Sequence, residues 1–262
     1  MSDNRIITLT TDFGYKDPFA AEMKGVILSI NPFAVIVDIT HSIQPQDVKE
    51  AAYVIGSSFS YFPPGTIHIA VVDPGVGSGR KALILDAGGC YFVGPDNGVF
   101  SHILHFSSPL KGIHITEEKY MLSRDSPTFQ GRDLFAPVGA LLSKGLTPGE
   151  FGPPAEAFVT LPVALPEVAE DGIYGDVMYI DSFGNAITNI KGADLRLLAG
   201  HYVAEVNNSI ILPVKYYAMS GESSLCCLVN SSGYLELFVN KGNAAVKYGI
   251  KKGDKVIVRK AK

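Results

Sequence analysis

The chain has 262 residues, 47% of them hydrophobic and 18% charged, with a formal net charge of −4. That is apolar material enough for one large or two medium cores, while the slight acidity and the lack of a basic block speak against a nucleic-acid binder. Mean hydropathy is +0.20, yet no apolar run approaches the ~18 residues that span a bilayer.

The opening residues, Met1 to Ile7, lack the apolar core of a signal peptide. Arg5–Thr11 is β-rich and reads as a first strand. Asp17 before Pro18 has the form of an N-cap followed by the first helical residue. Phe19, Met23, Val26, Ile27 and Ile30 follow at helical spacing, and Asn31-Pro32 stops the helix. Ala34–Thr40 reads as a second, nearly all-apolar strand, as in a parallel sheet covered on both faces. Pro45 and Asp47 open another helix, with Val48, Ala51, Ala52, Ile55, Phe59 and Phe62 on one face. Thr66–Val72 is a third strand, and further strands are expected near Ala82–Asp86 and Tyr91–Val93. A later helix is expected over Phe135–Lys144, with Pro137 in its first turn.

Pro153, Pro154, Pro162 and Pro166 then mark a change of composition. Beyond it, runs at Ile173–Ile180, Ala186–Ile190, Tyr202–Val206, Ser224–Val229, Tyr234–Val239 and Lys255–Arg259 read as strands, with Gly253-Asp254 as a hairpin turn. The reading is therefore an α/β N-terminal domain with a mostly parallel central sheet (1–152), a connection (153–170), and a smaller all-β C-terminal barrel (171–262). Cys90, Cys226 and Cys227 are the only cysteines. Their odd count and the lack of a CxxC spacing point to reduced thiols and a cytoplasmic protein.

The densest chemistry lies in Val71–Arg80, Val-Val-Asp-Pro-Gly-Val-Gly-Ser-Gly-Arg. A buried strand delivers Asp73 to its end, glycines hold a tight loop, and Arg80 closes it. Strand ends are where open α/β sheets bind ligands. Asp12 follows the first strand, where a carboxylate can take the two hydroxyls of a ribose; Asp17 serves as a cap or a ligand group. The three loop glycines match neither a dinucleotide fingerprint nor a P-loop. The lysine-poor loop and the acids Asp12, Asp17 and Asp73 suit a ligand without phosphate, or a cationic one. Asp38, His41 and Asp47 form a second polar cluster whose spacing fits no zinc pattern, so His41 reads as structural. Arg132 and Asp133 read as a cap and ion pair. Asp181-Ser-Phe183-Gly184-Asn185 reads on its own as an ordinary hairpin turn, though its aromatic and amide could stack on a purine and bond its edge.

Together the motifs Thr11-Asp12-Phe13-Gly14, Asp38-Ile-Thr-His41, Val72-Asp73-Pro-Gly-Val-Gly77, Pro95-Asp-Asn-Gly98, Phe129-x-Gly-Arg-Asp133, Phe183-Gly-Asn185 and Asn230-Ser-x-Gly-Tyr-Leu-Glu236 resemble one family over nearly the whole chain. It is the S-adenosyl-L-methionine (SAM) hydroxide adenosyltransferases, or SAM hydrolases, relatives of the SAM-dependent fluorinases and chlorinases. The resemblance implies conversion of SAM and water to adenosine and L-methionine, without metal or cofactor, by a homotrimer with sites at subunit interfaces. It gives Asp12 the ribose hydroxyls and Asp17 the methionine amino group. Phe183 and Asn185 would meet the adenine from a neighbouring subunit, and Ser231, Glu236 and the Val239 backbone would complete the pocket. Asp73 and Arg80 match two members of a water-activating Asp-Arg-His set. The third departs: the family pattern is Phe-His-Gly-Arg-Asp, and Gln130 stands in place of the histidine. An amide orients water but takes no proton. Either Asp73 suffices as base or activity is reduced. The rivals are a SAM-dependent halogenase, a non-catalytic adenosine or SAM binder, and a metal-dependent hydrolase built on Asp12, Asp47, Asp73 and His41.

Overall fold

The computed structural model describes residues 6–107, 110–123, 128–198 and 201–261, so the expected strand start at Arg5 lies outside the described residues. The chain forms two compact units, Met1–Val163 and Ala164–Lys262.

The first unit runs β1 (Ile6–Thr11), α1 (Phe19–Ile30), β2 (Val35–Thr40), α2 (Val48–Ser58), β3 (Ile67–Val71), β4 (Ala82–Ala87), β5 (Cys90–Pro95), α3 (Ser101–Phe106), β6 (Leu110–His114) and α4 (Ala136–Ser143). Its sheet has the order β2-β1-β3-β5-β4-β6. Alternation along the strands feeds two cores. Ile67, Ile69 and Val71 join Ile7, Leu9, Met23 and Val138 on one face, while Ala70 and Val72 join Ala51, Ile55, Leu85 and Ile103 on the other. Helices therefore cover both faces.

The sheet is mixed rather than mostly parallel throughout. β2, β1, β3 and β5 run parallel, but β4 and β6 are antiparallel to their neighbours. Gly88 and Gly89 cause the reversal. Both have positive φ, 57° and 79°, which a two-residue hairpin of the favoured twist requires. β2 departs from expectation too. It is an edge strand with its first residue, Val35, 54% exposed, so its apolar run is not covered on both faces. The Asp17 cap is also corrected: α1 is preceded by Pro18 with no side-chain cap bond, and Asp17 lies exposed ahead of it. Asp47 does cap α2, accepting from Glu50 N–H at 2.9 Å.

Residues 153–161 lie along the first unit. Pro153 O accepts from His114 N–H at 3.0 Å and Ala155 N–H donates to Gly112 O at 2.8 Å. Val159 N–H donates to Asp96 at 2.8 Å.

The second unit comprises β7 (Glu167–Ala169), β8 (Gly172–Ile180), β9 (Ala186–Lys191), α5 (Gly192–Leu195), β10 (Tyr202–Val206), β11 (Ser209–Pro213), β12 (Leu225–Val229), β13 (Tyr234–Val239), α6 (Ala244–Tyr248) and β14 (Lys255–Lys260). Its strands follow the order β14-β10-β11-β12-β13-β9-β8, and β8 pairs back onto β14 to close a barrel. Ile173, Val177, Ile190, Val206, Leu235 and Val258 fill it. Gly253-Asp254 is not a hairpin turn. It leads from α6 into β14, with Gly253 N–H donating to Val177 O at 2.8 Å. No helix among the described residues is long and apolar enough to cross a membrane.

One buried group in the first unit makes stability depend on pH. His68 on β3 is 1% exposed and stacked on Phe92, ring centroids 5.0 Å apart. Its Nδ1 meets Thr8 Oγ1 at 2.7 Å, and its Nε2 has no partner among the described residues. Burial pushes its pKa from the ordinary 6.5 down to about 4, because a charged ring here loses its water. The unfolded chain therefore binds this proton first. The stability in question is present above pH 6.5 and is lost as pH falls through about 4. The gap between the two values amounts to about 3 kcal/mol. A His68→Asn variant should lack that part of the acid limb when denaturant unfolding of both proteins is followed from pH 7 to pH 4.

Candidate active site

The order β2-β1-β3 means the chain leaves β1 on one side and returns on the other. Such a switch point opens a crevice at the carboxyl ends of its two strands. Thr11 pairs with Val71 in that register, so Asp12 and Asp73 emerge from adjacent strand ends.

Asp73 is held on three sides. Arg80 Nε–H is shared between its oxygens at 3.0 and 2.9 Å, Arg80 Nη2 donates to Oδ2, and Gly75 N–H donates to Oδ1 at 3.2 Å. The Asp73 side chain is only 4% exposed and that of Arg80 11%. Asn97, from the Pro95–Gly98 motif, donates to Val72 O at 2.9 Å and fixes the entry to the loop. The guanidinium lies over the Phe135 ring at 5.4 Å.

Arg80 Nη2 also reaches Gln130 Oε1. A guanidinium only donates, so the partner atom is the amide oxygen, and the amide nitrogen is left as a donor. Gln130 comes from the turn before α4. There Gly131–Phe135 forms a wider π-helical turn, a feature that recurs at functional sites. α4 accordingly begins at Ala136. A Cβ on Gly131 would lie 2.9 Å from the Phe129 ring, so this approach needs glycine. Phe13, Phe19 and Phe129 meet edge to face with centroids 5.3 to 5.8 Å apart and join this turn to the Asp12 loop. Arg132 forks onto Asp133 at 2.7 and 2.9 Å and reaches Glu22 at 2.8 Å, the ion pair expected of it.

Asp12 Oδ2 accepts from Gln46 N–H at 2.8 Å. His41 is buried and its Nδ1 meets Thr11 Oγ1 at 2.8 Å. Its Nε2 faces Asp38 Oδ1 at 3.1 Å. Burial raises the Asp38 carboxyl, but hydrogen bonds from Lys24 and His41 outweigh it and leave the carboxyl below its usual value. The His41 ring is thus turned inward, between Thr11 and Asp38, and Asp47 is spent as a cap. Among the described residues no three His, Cys, Asp or Glu side chains come together as a metal site. A cleft of about 370 Å³ opens on Arg80 and Gln130 and is also lined by Lys81, His114 and Thr116.

In the barrel unit a second polar group assembles. Asp181 Oδ1 accepts from the N–H groups of Phe183 and Asn185, both at 2.9 Å. Gly184, at φ +84°, makes the turn. Phe183 is 74% exposed and Asn185 8%. Glu236 is buried and accepts from Tyr217 O–H at 2.8 Å and Asn230 at 3.1 Å. Burial raises its carboxyl, the Asp181 charge adds to this, and the two hydrogen bonds oppose it. Ser231 is exposed in the turn after Asn230, and Val239 O is taken by Gly242 N–H at 3.0 Å. Tyr217 joins this group without a sequence signal to mark it. Its segment carries no periodic pattern, and its role comes from a partner on β13.

Two family models match, the SAM hydroxide adenosyltransferase N-terminal domain over residues 7–152 and its C-terminal domain over 175–257. The chain belongs to the SAM hydroxide adenosyltransferase family. It is 36% identical over 258 residues to an (R)-S-adenosyl-L-methionine hydrolase of Thermus thermophilus, covering 95% of this chain and 97% of that one. A solved structure of an uncharacterised conserved protein from Thermotoga maritima superposes with a TM-score of 0.92 at 33% identity, covering 97% of this chain and 100% of that one. A fluorinase of Actinoplanes is more distant, 28% identical over 293 residues and covering 98% of both chains. Within the SAM hydroxide adenosyltransferase fold, Asp73, Arg80 and Gln130 form one hydrogen-bonded trio beside Asp12.

Proposed function

We propose that this chain hydrolyses SAM to adenosine and L-methionine. The observation that carries the reading is the Asp73–Arg80–Gln130 trio at the strand end next to Asp12, in a chain of this family.

The water oxygen attacks the ribose C5′ from behind the sulfonium. The C5′–O bond forms, the C5′–S bond breaks, and its electron pair neutralises the sulfur as methionine leaves. No general acid or cofactor is needed, because the thioether is a good leaving group. Three N–H donors make four contacts with the Asp73 carboxylate, because the Arg80 Nε–H is divided between both oxygens; that divided bond is the one that yields a lone pair to the proton of the attacking water. Arg80 holds that carboxylate in place. Gln130 orients water through its amide nitrogen but accepts no proton. Alignment of this kind is worth roughly 7–11 kcal/mol. No hydrogen bond reaches Asp12 Oδ1 among the described residues, which leaves it for the ribose hydroxyls, and exposed Asp17 takes the methionine ammonium. Phe183 stacks on the adenine and Asn185 bonds its edge, with Ser231, Glu236 and the Val239 backbone completing that end from a neighbouring copy in a homotrimer. Three free, buried cysteines support a cytoplasmic setting.

Incubation with SAM, with and without chloride, tests the reading by chromatography. Adenosine and methionine are expected in both. A 5′-chloro-5′-deoxyadenosine product would instead support the halogenase reading, against which the Asp73 charge stands because it repels a halide. Binding without turnover would favour the non-catalytic binder. In the same assay Gln130→His should raise kcat by up to ~10²-fold, the low end of what a positioned base contributes. An unchanged rate would mean that no proton leaves by this position.

A further inference from the structure

A second polar chain lies under the Asp12 loop and takes no part in the chemistry above. Lys24 Nζ donates to Asp38 Oδ2 at 2.6 Å. Asp38 Oδ1 and His41 Nε2 are buried and face each other at 3.1 Å, within ion-pair distance but outside hydrogen-bond alignment. His41 Nδ1 meets Thr11 Oγ1 at 2.8 Å, and Phe13 N–H donates to that same oxygen at 3.3 Å. Tyr15 closes over the imidazole edge to face, at 5.2 Å.

Donor and acceptor chemistry orders this chain when the His41 ring is neutral. A carboxylate only accepts, so the His41 nitrogen facing Asp38 carries the hydrogen. In the neutral ring Nδ1 is then an acceptor, and the Thr11 hydroxyl donates to it. The Thr11 oxygen is left to accept from Phe13. The donors from Phe13 through Thr11 and His41 then run toward Asp38, which Lys24 meets from the other side.

The backbone repeats the link. Gly14 N–H donates to His41 O at 2.7 Å and Ile43 N–H to Thr11 O at 3.3 Å. Gln46, whose N–H holds Asp12 Oδ2 at 2.8 Å, sits at φ +67°, a conformation uncommon for a residue with a side chain. The loops on either side of Asp12 are thus stitched together, with His41 as the buried stitch.

We propose that His41 is a positioning residue for Asp12. Its ring fixes the Thr11–Gly14 loop on the loop from His41 to Gln46, so that one Asp12 oxygen is held by Gln46 while the other faces the ribose hydroxyls. The inference rests on the ribose role given to Asp12 above.

The test is a double-mutant cycle on the full chain. His41→Asn and Thr11→Val are each made alone and with Asp12→Ala, and the KM for SAM, the kcat and the Kd for adenosine are measured. Thr11→Val removes one hydroxyl and serves if His41→Asn does not fold. Each single variant should raise KM and the adenosine Kd by about 10-fold, in the range of coupling within one hydrogen-bond network, with kcat changed less than about twofold. In the Asp12→Ala background the same substitutions should change Kd by less than about twofold. Additive effects, or losses confined to kcat, overturn the positioning role while leaving the ribose role intact. An Asp12→Ala variant with unchanged Kd overturns the ribose role, and the positioning role with it.

Discussion

Replacing Asp73 by asparagine should lower kcat for SAM hydrolysis by about 10²–10⁴-fold, the usual contribution of a positioned base, with little change in KM. Asparagine keeps the size of the side chain and one oxygen acceptor for Arg80, so the loop retains its shape. It does not keep the ability to take a proton. Gln130 offers no substitute, since its oxygen is committed to Arg80 and its nitrogen only donates. Adenosine formation in a single-turnover experiment is the direct measurement, because it separates the chemical step from product release. Asp73→Asn with wild-type turnover would show that the attacking water sheds its proton to solvent.

Arg80→Met should cost both activity and stability. The Asp73 side chain is 4% exposed, and removing its counter-ion leaves a buried carboxylate with one remaining N–H donor, from Gly75. Breaking a buried pair from one side costs about 3–5 kcal/mol. In a domain of this size each kcal/mol lowers Tm by about 2–4 °C, so a fall near 10 °C is expected in a calorimetric scan. Arg80→Lys should be milder in stability but still poor in rate. It restores the charge, not the fork that binds Asp73 and Gln130 together. Equal Tm values for Arg80→Met and the unaltered protein would mean that Asp73 is not held by this ion pair.

The parts of the fold legible beforehand were those governed by local chemistry. β1, β3 and the start of α2 follow from apolar runs and the Asp47 cap. The trio could be named from motifs, but its contact depends on a π-helical turn that no spacing rule predicts. Two hairpins did leave signals. Gly88-Gly89 reverses the sheet between β4 and β5. Asn207 and Asn208, at φ 46° and 61°, join β10 to β11, a strand whose run Ser209–Pro213 is short and ends in proline. Such pairs between apolar runs are hairpin signs, and the glycine pair marks where the parallel half of the sheet gives way to the antiparallel half. Tyr217 is a different case. Nothing near it in sequence explains why its hydroxyl donates to Glu236, since that contact exists only once β12 and β13 pair.

The three phenylalanines between the Asp12 loop and Gln130 bear on how much error the reaction tolerates. Rings in edge contact near 5.5 Å resist both compression and separation. The loop proposed to grip the sugar and the turn proposed to meet the water are thereby referred to a common standard of length. Displacing a reacting atom by about 1 Å can cost 10²-fold in rate. The span between Asp12 and Gln130 is therefore set by packed hydrocarbon, and a Phe19→Ala change is expected to lower kcat more than it raises KM.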